Sequence, residues 1–146
     1  MSDHKLFEYS LTDAWGIPLS SVTIHSEDSC RVTYGLFERF RPNIDALHSI
    51  VISGDSMKRI KEVLSNDRLY EIDEFEYPFV LDGFMHEFYI SDGKRVHRIE
   101  GDNFAYCIND RDKYPNINTY NDMLNAIASI LITEGIPEAC FSLEIE

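Results

Sequence analysis

Ser56 is the residue of this chain best placed for nucleophilic chemistry. It follows Gly54 and Asp55, after the apolar run Ile50-Val51-Ile52 and ahead of an amphipathic stretch. A serine at a helix start could use the free first-turn amides to stabilise a developing oxyanion, provided a histidine acted as base. Five histidines are available, His4, His25, His48, His86 and His97, without a His-x-His or His-Glu-x-x-His spacing among them. His86 and His97 fall on one face of an expected hairpin with Phe84, Phe88 and Ile99, so a third ligand could complete a metal site there. Histidines on an apolar face are more often hydrogen-bonded within a core, and neither a metal nor another cofactor is expected. Asp110-Arg111-Asp112 begins like a calcium loop, but Lys113, Tyr114 and Pro115 stand where the later ligands and the glycine are needed. Cys30, Cys107 and Cys140 are odd in number and widely spaced, which reads as reduced thiols rather than a disulfide framework or zinc site.

The string Ile50-Val51-Ile52-Ser53-Gly54-Asp55-Ser56-Met57 resembles the nucleophile block of the GDSL or SGNH-type hydrolases, a resemblance that implies Ser56 as the nucleophile. It extends over these eight residues alone. The family's late Asp-x-x-His is matched only by Asp45-Ala46-Leu47-His48, which precedes the serine, and Gly101-Asp102-Asn103 has the wrong order for its Gly-x-Asn-Asp block. A turn followed by a helix cap accounts for the same residues, so no catalytic residue is expected.

Composition narrows the function classes further. Of 146 residues, 26 are Asp or Glu and 13 are Lys or Arg, for a formal charge of −13 and a pI near 4.6. Such a chain repels phosphate backbones, which excludes nucleic acid as a direct ligand. At 44% hydrophobic residues it is too apolar for a disordered acidic tail and has the length of a single domain, residues 1–146. The most apolar stretch, Ala126 to Ile132, is seven residues broken by Ser129 and far short of a membrane span, and the first residues have no signal-like apolar core. These features point to a cytoplasmic protein with no membrane association.

The elements that would position these residues are antiparallel strands and two helices. Strands are expected at Leu6–Leu11, Val22–His25 and Arg31–Leu36, with Ser49–Ile52 as a buried central strand. Met57, Ile60, Val63 and Leu64 make one stripe of a helix over about 55–66, with Asp55 or Ser56 at its cap and Asn66-Asp67 at its end. Phe84–Glu100 reads as a hairpin turning at a two-residue Asp92-Gly93 loop, which sets Glu87 opposite Arg98, Tyr89 opposite Val96 and Phe88 opposite His97. A second helix spans 119–134, opened by Thr119 with Asp122 and closed by Gly135 and Pro137, and Cys140–Ile145 alternates as a last strand. The fold class is therefore α+β, a mainly antiparallel sheet with two amphipathic helices on one face.

The negative charge is not spread evenly. Residues 67–92 hold eight acids and one base, and residues 114–146 hold five acids with no Lys or Arg. The first segment interleaves its acids with Tyr70, Phe75, Tyr77, Phe79, Phe84, Phe88 and Tyr89. Carboxylates steer an encounter with a basic protein and aromatics anchor it, so Glu71, Asp73, Glu74, Glu76, Tyr77 and Asp82 are the candidate binding residues. The cations Lys58, Arg59 and Lys61 read as a solvated helix face. The expected function is a non-enzymatic binding protein, immunity-like or regulatory, that docks a basic protein partner. In general character the chain is similar to the small acidic immunity proteins that neutralise nuclease toxins. Two alternatives stand beside it. One is a small-molecule site or enzyme with a cleft between sheet and helices, using Ser56, His86, His97 and Asp82 or Asp102. The other is a subunit whose apolar hairpin completes a homodimer sheet.

Overall fold

A computed structural model describes residues 5–26, 29–37, 47–76, 84–102 and 107–141. Six antiparallel strands form one sheet in the order β4-β3-β2-β1-β5-β6. They are β1 (Lys5–Thr12), β2 (Pro18–His25), β3 (Arg31–Leu36), β4 (Leu47–Val51), β5 (Met85–Ser91) and β6 (Val96–Asp102). The helices are α1 (Gly54–Leu64), the short α2 (Asp67–Glu71) and α3 (Pro115–Thr133), followed by a 3₁₀ turn at Glu138–Cys140. This is the α+β class that the periodicities predict.

Period-two alternation gives the sheet two unlike faces. Phe7, Tyr9, Leu11, Val22, Ile24, Val32, Phe88, Ile90 and Ile99 are buried on one side. Met57, Ile60 and Leu64 of α1 and Ile117, Tyr120, Leu124, Ile127 and Leu131 of α3 complete that core. Tyr120 stands edge-on to Phe75 and Phe88 with centroids 5.1 and 5.2 Å away, and its hydroxyl donates to the Leu69 carbonyl at 2.6 Å. α2 is thereby tied to the core. The other sheet face has no described element packed on it.

Several expectations are corrected. The run at Ser49–Ile52 is not a central strand, because β4 lies at the sheet edge and Val51 is 72% exposed. An apolar run signals burial on both faces, but here Val51 points to the uncovered side. α1 begins one residue earlier than expected, and its cap is Ser53, whose hydroxyl accepts from the Ser56 amide at 3.1 Å. Asn66 caps α2 instead of ending α1, accepting from the Arg68 amide at 3.0 Å. α3 begins at Pro115, a full turn before Thr119, because Pro suits the first helical position. Thr119 donates its hydroxyl back to the Pro115 carbonyl, and Asp122 pairs with Arg111 rather than forming a capping box. At the other end Gly135, at φ 116°, supplies the left-handed residue as expected. Cys140 lies in the 3₁₀ turn and Phe141 follows as its C-cap, so neither opens the expected strand, and its residues 142–145 fall outside the described residues.

A further correction concerns the hairpin register. Ser91 faces Val96, Tyr89 faces Arg98 and Glu87 faces Glu100, a slip of two from the expected pairing. The loop is longer because the Asp92 carboxylate accepts from the amides of Lys94 and Arg95 at 2.9 and 2.7 Å, and also pairs with the Arg95 guanidinium. Arg95 also reaches Asp67 at 3.0 Å, which fastens the loop to the start of α2. An even slip leaves every side chain on its expected face. It does change who stands opposite whom, and so replaces an attractive Glu87–Arg98 pair with two carboxylates.

Candidate functional site

On the uncovered face the strands align into rows. One row runs Ser49, Thr33, Thr23, Glu8, Tyr89, Arg98, and the next runs Leu47, Gly35, Ser21, Ser10, Glu87, Glu100. Hydroxyls line the β2–β4 half: Thr33 bonds Ser49 at 3.1 Å and the His25 ring at 2.8 Å. The β1–β5–β6 half instead gathers carboxylates. Glu8, Glu87 and Glu100, with Ser10, Tyr89 and Arg98, border a depression of about 590 Å³ that Asp73 reaches from beyond the β6 edge.

The charges in this half are unevenly matched. Lys5 pairs with Glu8 at 2.5 Å and lies over the Tyr89 ring, as does Arg98, whose guanidinium is 5.0 Å from the ring centroid. Among the described residues, no Lys or Arg lies within ion-pair distance of Glu87 or Glu100. Partial burial pushes the Glu87 carboxyl above its ordinary pKa, reinforced by a hydrogen bond shared with Glu100 and by the charges of Glu100 and Glu8. Asp102 is raised as well, by burial and then by Glu100. The arrangement holds negative charge that would be relieved by a cation supplied from outside. Among the described residues no group of His, Cys, Asp and Glu is arranged to hold a metal ion.

The candidate residues taken from the sequence separate into three sets. Glu71, Asp73 and Glu74 are exposed, with Asp73 on the rim of the depression. Glu76 has a structural use: its carboxylate accepts from the amides of Asn116 and Ile117 at 2.9 and 3.0 Å and so caps α3. Tyr77 and Asp82 lie outside the described residues. The aromatics beside the acids mostly serve the core. Phe88 is buried, and Tyr70, Phe75 and Phe84 are partly buried against the core. Tyr89 alone among those described points to the carboxylate face. Segment 72–76 can lie so close because residue 101 is glycine; a Cβ there would come within 2.3 Å of the Phe75 ring.

The residues considered for catalysis stand in three separate places. The Ser56 hydroxyl donates to Glu134 at 2.5 Å and the Ser53 hydroxyl donates to the same oxygen at 2.9 Å, joining the start of α1 to the end of α3. Those bonds lower the Glu134 pKa, and a carboxylate rather than a histidine is the partner of the serine. His86 is buried under the helices, bonded through Nδ1 to the Tyr9 hydroxyl at 2.8 Å, and burial depresses its pKa to about 3. His97 bonds the Ile72 carbonyl at 2.5 Å. The slipped register sets His86 opposite Gly101 and His97 opposite Ile90, so the two are not diagonal neighbours. Burial pushes the thiols of Cys107 and Cys140 up to about 11, away from nucleophilic character.

Glu8 and Glu100 were not distinguishable as site residues in the sequence. Each sits at an unremarkable polar position of a strand, and only the pairing of β1 with β5 and of β5 with β6 brings them beside Glu87. Compared with protein-family models and with curated protein sequences, the chain matches none of them.

Proposed function

We propose that this is a non-enzymatic binding protein that docks a basic partner protein on the β1–β5–β6 half of its uncovered sheet face, in an immunity-like or regulatory role in the cytoplasm. One observation carries the reading: Glu8, Glu87 and Glu100 stand side by side on a face that no described element covers, and among the described residues only Glu8 of the three has a cationic partner. An Arg or Lys from a partner would sit between Glu87 and Glu100 and relieve their repulsion. Arg is the better fit, because its planar fork can engage two carboxylates and stack on Tyr89. Asp73, with Glu74 and Glu71 behind it, extends the negative field beyond the β6 edge and steers approach.

The test separates a site from bulk charge. An arginine-rich peptide is titrated into wild type, into the triple variant Glu8→Gln/Glu87→Gln/Glu100→Gln, and into the control Glu62→Gln/Asp112→Asn/Glu138→Gln, whose positions are exposed and remote from this face. Both variants lose the same charge. Binding should fall at least about tenfold more in the first than in the second, since a desolvated charge contact contributes on the order of 1.5 kcal/mol or more. Equal losses would reduce the interaction to net charge and overturn the proposed site.

A further inference from the structure

The two edges of the sheet differ in a way that points to self-association. β4 reads Leu47-His48-Ser49-Ile50-Val51 and has no Lys, Arg, Asp or Glu, and among the described residues it pairs with β3 alone. An uncharged outer strand with neither proline nor a bulge lacks the devices that normally block strand addition. β6 is guarded. It carries Arg98, Glu100 and Asp102, while Ile72 meets His97 on one side and Asp73 reaches the depression on the other, so the chain passes around that edge.

We propose that the β4 edge pairs with β4 of a second copy of this chain, antiparallel about a two-fold axis at Ser49, joining two six-stranded sheets into one continuous sheet. The strand is self-complementary in this register. Leu47 meets Val51 of the second copy on the uncovered face, and His48 meets Ile50 on the helix side, so the exposed Leu47 and Val51 cover each other. Charge chooses the same edge. Glu8, Glu87, Glu100 and Asp102 lie at the β6 side, where a copy would bring like clusters together, whereas β4 itself carries no charged side chain. The pairing leaves the carboxylate half of each sheet uncovered and is independent of what that half binds.

The experiment measures mass by sedimentation equilibrium across protein concentration up to about 100 μM, the range expected of an interface at the small end of the specific class. The expected result is a shift from 16.9 kDa toward twice that mass. The shift should strengthen with added salt, because two chains of charge −13 repel and salt screens them. Val51→Lys sets a charge on the edge at an exposed position and should abolish the shift while leaving the thermal unfolding midpoint within a few degrees. Val96→Lys, on the opposite edge, should leave it intact. Hydrogen exchange of the amides of residues 47–51 should slow as concentration rises. A monomer at every concentration and salt, a dimer lost in Val96→Lys but kept in Val51→Lys, or a dimer whose β4 amides gain no protection would each overturn the proposal.

Discussion

His86 and Glu87 are consecutive residues of β5 that face opposite sides of one sheet. His86 is buried on the helix-covered side, bonded to Tyr9, and burial depresses its pKa to about 3. Glu87 faces outward beside Glu8 and Glu100, and its carboxyl is raised by partial burial and by those neighbours. On the covered side, polar groups find partners within the chain: His86 with Tyr9, Ser20 with the Cys140 carbonyl, His97 with the Ile72 carbonyl. On the open side, like charges accumulate without such relief. The difference separates residues that hold the fold from residues free to meet something else.

The adjacent pair Phe88 and Tyr89 gives the largest contrast. Phe88→Ala removes a ring packed between Tyr9, Phe75 and Tyr120, and should cost about 3–5 kcal/mol. Tyr89→Ala, on the open face, should cost under about 1 kcal/mol while weakening peptide binding. Urea denaturation of both variants checks the first statement and titration checks the second. Similar losses of stability in the two would mean that the open face is as structural as the covered one.

His86→Asn comes next. The amide can keep a bond to Tyr9 but leaves a smaller buried group, so a loss of about 2–3 kcal/mol is expected at neutral pH. The pH dependence should change as well. In wild type, His86 in the unfolded chain takes up a proton below about 6.5, whereas the folded residue resists until about 3. Between those values the unfolded state binds more protons, so this contribution is full above pH 6.5 and is lost as pH falls toward 3. The variant lacks that loss, and its deficit relative to wild type should shrink steadily through this window in denaturation series at fixed pH.

Glu76→Ala should follow, at about 1–2 kcal/mol, because two amides at the start of α3 lose a charged acceptor. Glu76→Gln should recover part of it. The loss should appear as faster hydrogen exchange at Asn116 and Ile117, with peptide binding unchanged, which would assign this acid to the fold rather than to the docking face.

Glu76 also shows why the site was only partly legible in sequence. Strand periods identified β1, β2, β3 and the β5–β6 hairpin, and in the hairpin they placed His86, Phe88, His97 and Ile99 on one face. Helical stripes located α1 and the body of α3. What periodicity cannot carry is contact between distant segments. Glu76 reaches amides 40 and 41 positions along the chain, and the described acids of that group, Glu71, Asp73, Glu74 and Glu76, are divided in space between a cap and an exposed rim. The carboxylates that do converge, Glu8, Glu87 and Glu100, are scattered along the chain and meet only through strand order. Their meeting depends further on the side chain of Asp92, which lengthens the loop and moves the register by two. Asp-Gly favours a two-residue turn by backbone preference alone, and a carboxylate accepting two further amides outweighs that preference.

The smallest expected effect is the one that divides stability from function most sharply. Glu100→Gln removes one of two like charges facing each other across β5 and β6, and its amide can donate to Glu87. At neutral pH it should stabilise the protein by less than about 1 kcal/mol. A carboxyl raised in the folded state binds protons there more readily than in the unfolded chain, so its favourable contribution is present at acid pH and is lost as pH rises through the raised value. The gain from Glu100→Gln should accordingly be present at pH 7 and shrink as pH falls and Glu87 takes up its proton. The same variant should bind the arginine-rich peptide more weakly at pH 7, since one arm of the acceptor pair has lost its charge. A protein made more stable and less able to bind by a single substitution is the behaviour of a site whose repulsion is held for a partner. Destabilisation at neutral pH would instead assign Glu100 to the fold.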